Sequence, residues 1–141
     1  MTTFNTRTIA VTIDAPPASV AADLSNPLSH PEWATEFFAG PAAPTGVEGE
    51  VRVAVPMMGG AAKMKVDADP ERGLVDLYLA PESAPYGAPL PVRLVPNGDG
   101  VDVLWTLAQQ PGVPDEAFAA GIASMERELQ ALKRRHEQRE R

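Results

Sequence analysis

Between residues 50 and 108 one pattern comes five times: apolar side chains at every second position, then a run of turn residues. Val51, Val53 and Val55 alternate with Arg52, Ala54 and Pro56 across 50–57. Ala62, Met64, Val66 and Ala68 alternate with Lys63, Lys65 and Asp67 across 61–69. Segments 74–80, 89–96 and 101–108 follow. A period of two belongs to a strand with one face on a core, because successive side chains point to opposite sides. Met58-Gly59-Gly60, Asp69-Pro70-Glu71-Arg72-Gly73 and Asn97-Gly98-Asp99-Gly100 supply reversals. The expectation is an antiparallel meander, and a content of 15 Pro and 11 Gly argues against a helical bundle.

A slip of one residue turns every apolar side chain to the wrong face, so the pattern constrains the pairing. Centring the first turn on Gly59-Gly60 pairs Val55 with Met64, Val53 with Val66 and Val51 with Ala68. The 69–73 turn pairs Val66 with Leu77 and Ala68 with Val75. The 83–88 loop pairs Leu79 with Leu90, Leu77 with Val92 and Val75 with Leu94. A turn at Asn97-Gly98 pairs Val92 with Val103 and Leu90 with Trp105. The opposite face then carries Arg52, Asp67, Asp76, Arg93 and Asp102, with Arg52 opposite Asp67 and Arg93 between Asp76 and Asp102. This ladder reads as solvated surface, where ion pairs contribute little. Its arginines already satisfy Asp67 and Asp76, which speaks against a metal there.

Ahead of the meander, Ile9, Val11 and Ile13 alternate across 7–14, and Ala15-Pro16-Pro17 ends that strand. Pro17 is suited to a first helical position, which predicts a helix over 17–24 with Val20, Ala21 and Leu24 inward. Asn26-Pro27 predicts a second short helix, capped by Asn26 and ending near Trp33, and 36–39 reads as a short strand. After Pro111 the period changes. Phe118, Ile122, Met125, Leu129 and Leu132 recur at four-three spacing, which predicts one long helix of about six turns.

Length and charge bound the function. The 141 residues suit a single domain spanning 1–141. A net charge of −7 argues against a nucleic-acid-binding body. The basic tail 133–141 reads either as a complement to the helix dipole or as a contact for an anionic partner. There is no cysteine, so disulfides and thiolate chemistry are excluded. No apolar run has the length of a membrane span, and the first residues lack the plan of a signal peptide, so a cytoplasmic location without membrane insertion is expected. No phosphate loop or metal-ligand spacing occurs, and no cofactor is expected.

The order strand, two short helices, six antiparallel strands and long C-terminal helix resembles the START-like, helix-grip superfamily, also called SRPBCC. The local text agrees. Thr12-Ile13-Asp14-Ala15-Pro16-Pro17-Ala18-Ser19-Val20 is similar to the superfamily's opening phrase, and Leu24-Ser25-Asn26-Pro27 with Pro31-Glu32-Trp33 to its second-helix phrase. Ala21 departs from it, since many relatives carry an aromatic residue there. The resemblance implies an α+β fold in which a curved seven-stranded antiparallel sheet wraps the C-terminal helix, commonly around an apolar ligand cavity.

The pattern turns Val53, Val55, Met64, Leu77, Leu79, Val92 and Trp105 toward that space from the sheet. Phe118, Ile122 and Met125 face it from the helix, and Trp33 and Phe37 join from the segment between. The 57–61, 83–88 and 111–114 loops fall at one end and bring Met57, Met58, Tyr86, Pro89 and Val113, an apolar set that reads as a ligand mouth or as a plug. His30, Glu32 and Glu36 are candidate polar rim groups, with surface or helix-end roles as the plain alternative. His136, on the basic helix end, is expected in solvent, and Ser124 as a small packing residue. The expected function is a domain binding a small apolar or aromatic molecule, with a homodimer permitted. The alternative is an enzyme of the polyketide cyclase or aromatase type, using a pocket carboxylate or His as acid–base group; the registered strands place neither inside. A third reading, an interaction module built on the C-terminal helix, is disfavoured because the stripe ends at Leu132.

Overall fold

The structure is a computed structural model, and it describes residues 2–140. The alternating segments form strands: β1 (Thr6–Ile13), β2 (Ala43–Pro44), β3 (Glu50–Val55), β4 (Gly60–Asp69), β5 (Leu74–Pro81), β6 (Leu90–Asn97) and β7 (Gly100–Ala108). They make one antiparallel sheet in the order β1-β7-β6-β5-β4-β3-β2. Two helices accompany it, α1 (Pro17–Ser25) and α2 (Asp115–Arg139). β1 and β3 to β7 turn most of their apolar residues to one face, and Ile122, Met125, Leu129 and Leu132 of α2 are buried in the same core. The result is the expected helix-grip α+β arrangement, and α2 runs about a turn longer than its stripe predicted.

Three pairings differ from the expected register, and each difference has a local cause. Pro56 starts a 3-10 turn that Gly59 closes at φ 85°, its N–H donating to the Pro56 carbonyl at 3.1 Å. Val55 therefore faces Gly60, Val53 faces Ala62 and Val51 faces Met64. Pro89 and Pro91 lack N–H donors, and β5 and β6 pair only from Leu74–Arg93 to Leu77–Leu90. The last hairpin turns at Gly98-Asp99, with Gly98 at φ 58°, so Val92 faces Trp105 and Leu94 faces Val103. A glycine first in a two-residue loop matches a hairpin turn that follows the sheet's twist. The β4–β5 pairing is as expected, with Val66 on Leu77 and Ala68 on Val75. All three shifts are by an even number of residues, so the inward set is unchanged.

The ladder of Arg52, Asp67, Asp76, Arg93 and Asp102 lies on the outer face, with different partners. Arg93 pairs with Asp76 at 3.0 Å, but Arg52 pairs with Glu82 at 2.8 Å. Asp102 accepts from Thr12 and Asn97 rather than from Arg93.

Two segments before the meander differ from expectation. The Asn26 side chain accepts the Leu28 N–H at 3.1 Å, which holds a turn, and helical geometry is confined to a 3-10 turn at His30–Glu32. Residues 36–39 form no strand. Phe38 N–H closes onto the Ala34 carbonyl, Ala39 N–H meets the Ala54 carbonyl, and the edge strand forms later, at β2.

Gly73 tests this packing. It sits at φ 70° after the β4–β5 turn, its carbonyl accepts the Leu94 N–H at 2.9 Å, and a Cβ there would overlap the Leu94 carbonyl oxygen. Gly73→Ala is expected to lower stability by about 2 kcal/mol or more in urea unfolding. Gly87→Ala, where nothing lies within 4 Å, should stay within about 0.5 kcal/mol of the parent.

Candidate functional site

The interior between sheet and α2 is built from the two-residue period on one side and the helical period on the other. Val53, Val55, Met64, Leu77, Val92, Trp105, Ile122 and Met125 are all buried there. Phe37, Met58, Leu79 and Phe118 are half-buried against the same cluster. Trp33, 3% exposed, comes from the chain just after the 3-10 turn. Its ring meets that of Trp105 edge-on, centroids 5.9 Å apart and planes at 77°.

Tyr86 is not with them. It lies on the outer face, donating to Glu50 at 2.8 Å, with Lys63 and Lys65 over its ring and Tyr78 edge-on to it. The 83–88 loop folds back across the sheet, so of the expected apolar end only Met58 packs on the core. Met57 is 81% exposed.

The expected rim groups do other work. His30 is 1% exposed, with its Nε2–H donating to the Leu24 carbonyl at 2.8 Å and its ring 5.4 Å from that of Trp33. Burial holds the imidazole below its ordinary pKa, with the Leu24 hydrogen bond opposing. Glu36 points away from the interior and accepts from Arg127 at 2.7 and 2.9 Å and from Ser124 at 2.9 Å. Arg127 and then Ser124 lower its carboxyl. Ser124 thus ties α2 to this segment rather than merely allowing close packing. Glu32, also outward, pairs with Arg135 at 3.0 Å.

His136 is buried, contrary to expectation, at 1% exposure. It lies four residues after Leu132, so it continues the apolar stripe, and α1 covers it. Its Nε2 is 2.7 Å from Asp23 Oδ2. Arg135 donates to the same carboxylate at 2.9 and 3.2 Å. Burial alone would raise the Asp23 carboxyl, but His136 and Arg135 more than reverse this and hold it well below the carboxylate range.

Two features escaped the sequence reading. Glu128 is 4% exposed, and its Oε2 accepts the N–H groups of Glu36 and Phe37 at 3.1 and 3.2 Å. Its place three residues after Met125 and four before Leu132 was the available signal. Burial raises its carboxyl, and the Phe37 and Glu36 N–H groups only partly offset this. The second feature is a pair of orphan donors: the Nε1–H groups of Trp33 and Trp105 are buried and have no hydrogen-bond partner among the described residues. Leaving a buried donor unmet costs about 1–3 kcal/mol. The surface also carries a groove of about 510 Å³ lined by Leu28, Pro31, Thr35 and Phe38, and another of about 400 Å³ between β1 and α2.

A curved antiparallel sheet closed on a C-terminal helix, with an aromatic pair between them, defines a START-like helix-grip protein. The model of the polyketide cyclase / dehydrase and lipid transport family matches residues 6–137, and the chain belongs to that family. Among solved structures, the Zhui aromatase/cyclase from Streptomyces sp. R1128 superposes with a TM-score of 0.69 at 18% identity, covering 99% of this chain and 97% of that one. A START superfamily protein from Mycobacterium smegmatis gives 0.62 at 19% identity, covering 94% and 97%. The Aha1 dimer from Colwellia psychrerythraea gives 0.64 at 18%, covering 94% and 96%. At these identities the likeness is one of fold. No curated protein sequence matches the chain. Among the described residues no helix is long and apolar enough to cross a membrane.

The raised carboxyl of Glu128 gives a pH test. A carboxyl raised by folding binds protons more readily in the folded state. Its contribution is fully present below the ordinary value of 4.5 and is lost as pH rises through the raised value. Glu128→Gln keeps an acceptor for both N–H groups and removes that loss. Urea unfolding should therefore show the variant gaining on the parent as pH rises from 4 to 7. A difference independent of pH would mean that Glu128 titrates normally.

Proposed function

We propose that this chain is a cytoplasmic domain that holds one small apolar or aromatic molecule between the curved sheet and α2. The observation that supports it most is the character of the interior: apolar walls from five strands and a helix around the Trp33–Trp105 pair, with very few polar groups. Family membership points the same way, since lipid transport is part of the family's description. Room for the molecule comes from Met58, Met64 and Met125, whose unbranched side chains adapt to different shapes. A bicyclic aromatic burying about 300 Å² gains about 7 kcal/mol before the costs of association. The interior is complete within one chain, so a homodimer, the form in which the Aha1 relative was solved, is not needed for binding.

A second reading rests on Glu128. Its Oε2 takes two backbone N–H groups, and burial raises its carboxyl. A buried carboxyl with raised proton affinity is the kind of group a cyclase or dehydratase uses as general acid. This reading expects Glu128→Gln to stop any cyclisation or dehydration of the bound molecule while leaving its affinity within about twofold.

Titration with N-phenyl-1-naphthylamine, a neutral fluorescent probe, tests the binding reading, with native mass spectrometry of the purified protein alongside. The expected results are saturable enhancement and a co-purified small mass. With the mouth at the Met58 end, the Met57→Glu, Met58→Glu double variant should bind the probe several-fold more weakly while remaining folded. No enhancement and no bound mass would remove the binding reading. Unchanged affinity in the double variant would remove this mouth alone.

A further inference from the structure

We propose that the open edge of β1 is a self-association surface: residues 6–10 pair antiparallel with the same residues of a second copy of this chain, and Arg7 of each copy meets Glu126 of the other. This association needs no ligand in the interior.

β1 is a terminal strand, hydrogen-bonded in the sheet to β7 alone. The Gln109 N–H donates to the Asn5 carbonyl at 2.8 Å, one step beyond the Thr6–Ala108 pair. Bonded pairs alternate in an antiparallel ladder, so the odd-numbered residues of β1 bond to β7. Thr6, Thr8, Ala10 and Thr12 therefore turn their N–H and C=O groups away from the sheet. α2 blocks one end of this row. Lys133 donates to the Thr12 carbonyl at 2.8 Å, and Glu137 accepts the Asp14 N–H at 2.9 Å. Thr6, Thr8 and Ala10 are exposed, and among the described residues nothing meets their outward backbone groups. Such a row is a template for another strand.

The side chains along the edge select a second copy as that strand. The open stretch is centred on Thr8. A two-fold axis there pairs Thr8 with Thr8 and Thr6 with Ala10, three bonded pairs carrying about six hydrogen bonds. Arg7 then stands opposite Ile9 of the other copy, on the face that carries α2. Beside that Ile9 runs the groove of about 400 Å³ between β1 and α2, whose apolar lining is Ile9, Val11, Ala123 and Leu129. Of the two charged residues in it, Arg127 is paired with Glu36 at 2.7 Å, and Glu126 forms no ion pair among the described residues. An apolar channel with one uncommitted carboxylate suits an aliphatic stem that ends in a cation. Arg7 is such a side chain, exposed and likewise without an ion pair among the described residues. The symmetry makes the Arg7–Glu126 contact twice.

An edge pairing of this size is small, so the association is weak. Sedimentation equilibrium of the full chain from about 10 μM to about 1 mM should show a reversible monomer–dimer equilibrium. Arg7→Glu and Glu126→Arg should each weaken it about tenfold or more. Mixing the two variants should return it to near the parent level. Each variant alone sets like charges at both contacts, whereas the mixed dimer sets opposite charges at both. Both variants stay net negative, so general attraction does not bring them together. In hydrogen exchange the amides of Thr6, Thr8 and Ala10 should slow as concentration rises, and that of Thr12 should not. A monomer at every concentration would overturn self-pairing. So would a dimer that both single variants leave unchanged, since association would then use another surface. If the chain stays monomeric while an added Thr-Val repeat peptide protects the same amides, the edge takes a foreign strand and self-pairing falls.

Discussion

The place of α2 depends on one buried carboxylate. The sheet offers α2 a mainly apolar face, with the Thr12 carbonyl accepting from Lys133 at 2.8 Å at its edge, and apolar contact is non-directional. Asp23 on α1 supplies direction. It takes His136 at 2.7 Å and Arg135 at 2.9 Å, and these are consecutive residues near the end of α2. Either partner still compensates the carboxylate when the other is removed, whereas losing Asp23 strips both contacts from α2 at once. The lowered carboxyl fixes the sign of its pH dependence: the stabilisation is full above the ordinary carboxylate range and fades as pH falls through the lowered value.

With α1 and α2 locked together, residues 26–38 have little freedom. His30 is pinned to Leu24, Glu32 to Arg135 and Glu36 to Arg127. Glu128 then closes the segment from α2 by capping the N–H groups of Glu36 and Phe37. The polar contacts lie mostly on the outer side of this strap, and the rings of Trp33 and Phe38 go to the core. Residues expected as a rim for a ligand thus serve to hold an aromatic side chain in place.

The sheet was legible because its information is a parity. Val53, Met64, Leu77, Val92 and Trp105 face inward in any register displaced by an even number of residues, so the wrong hairpin centres left the core correct. The partners themselves were not legible. They depend on whether a loop tightens, as Pro56–Gly59 does, or loses donors, as between Pro81 and Leu90. The strap was the least legible part. No periodicity runs through residues 26–42, and their conformation is set by side chains distant in sequence, above all Glu128 and Arg135. Glu128 and His136 were missed for another reason: the stripe was counted only over apolar residues, although both hold stripe positions. Tyr86 failed because a loop's apolar content does not say which face of the sheet the loop covers.

The two tryptophans come from these two regimes. Trp105 is fixed by a sheet whose inward set follows from sequence parity, paired to Ile9 on one side and Val92 on the other. Trp33 is fixed by a strap whose geometry is electrostatic, through Asp23, Arg135 and Glu128. The strap also makes one side of the interior separable from the other. A change at Asp23 or Glu128 would act on Trp33 and leave Trp105 where the sheet holds it.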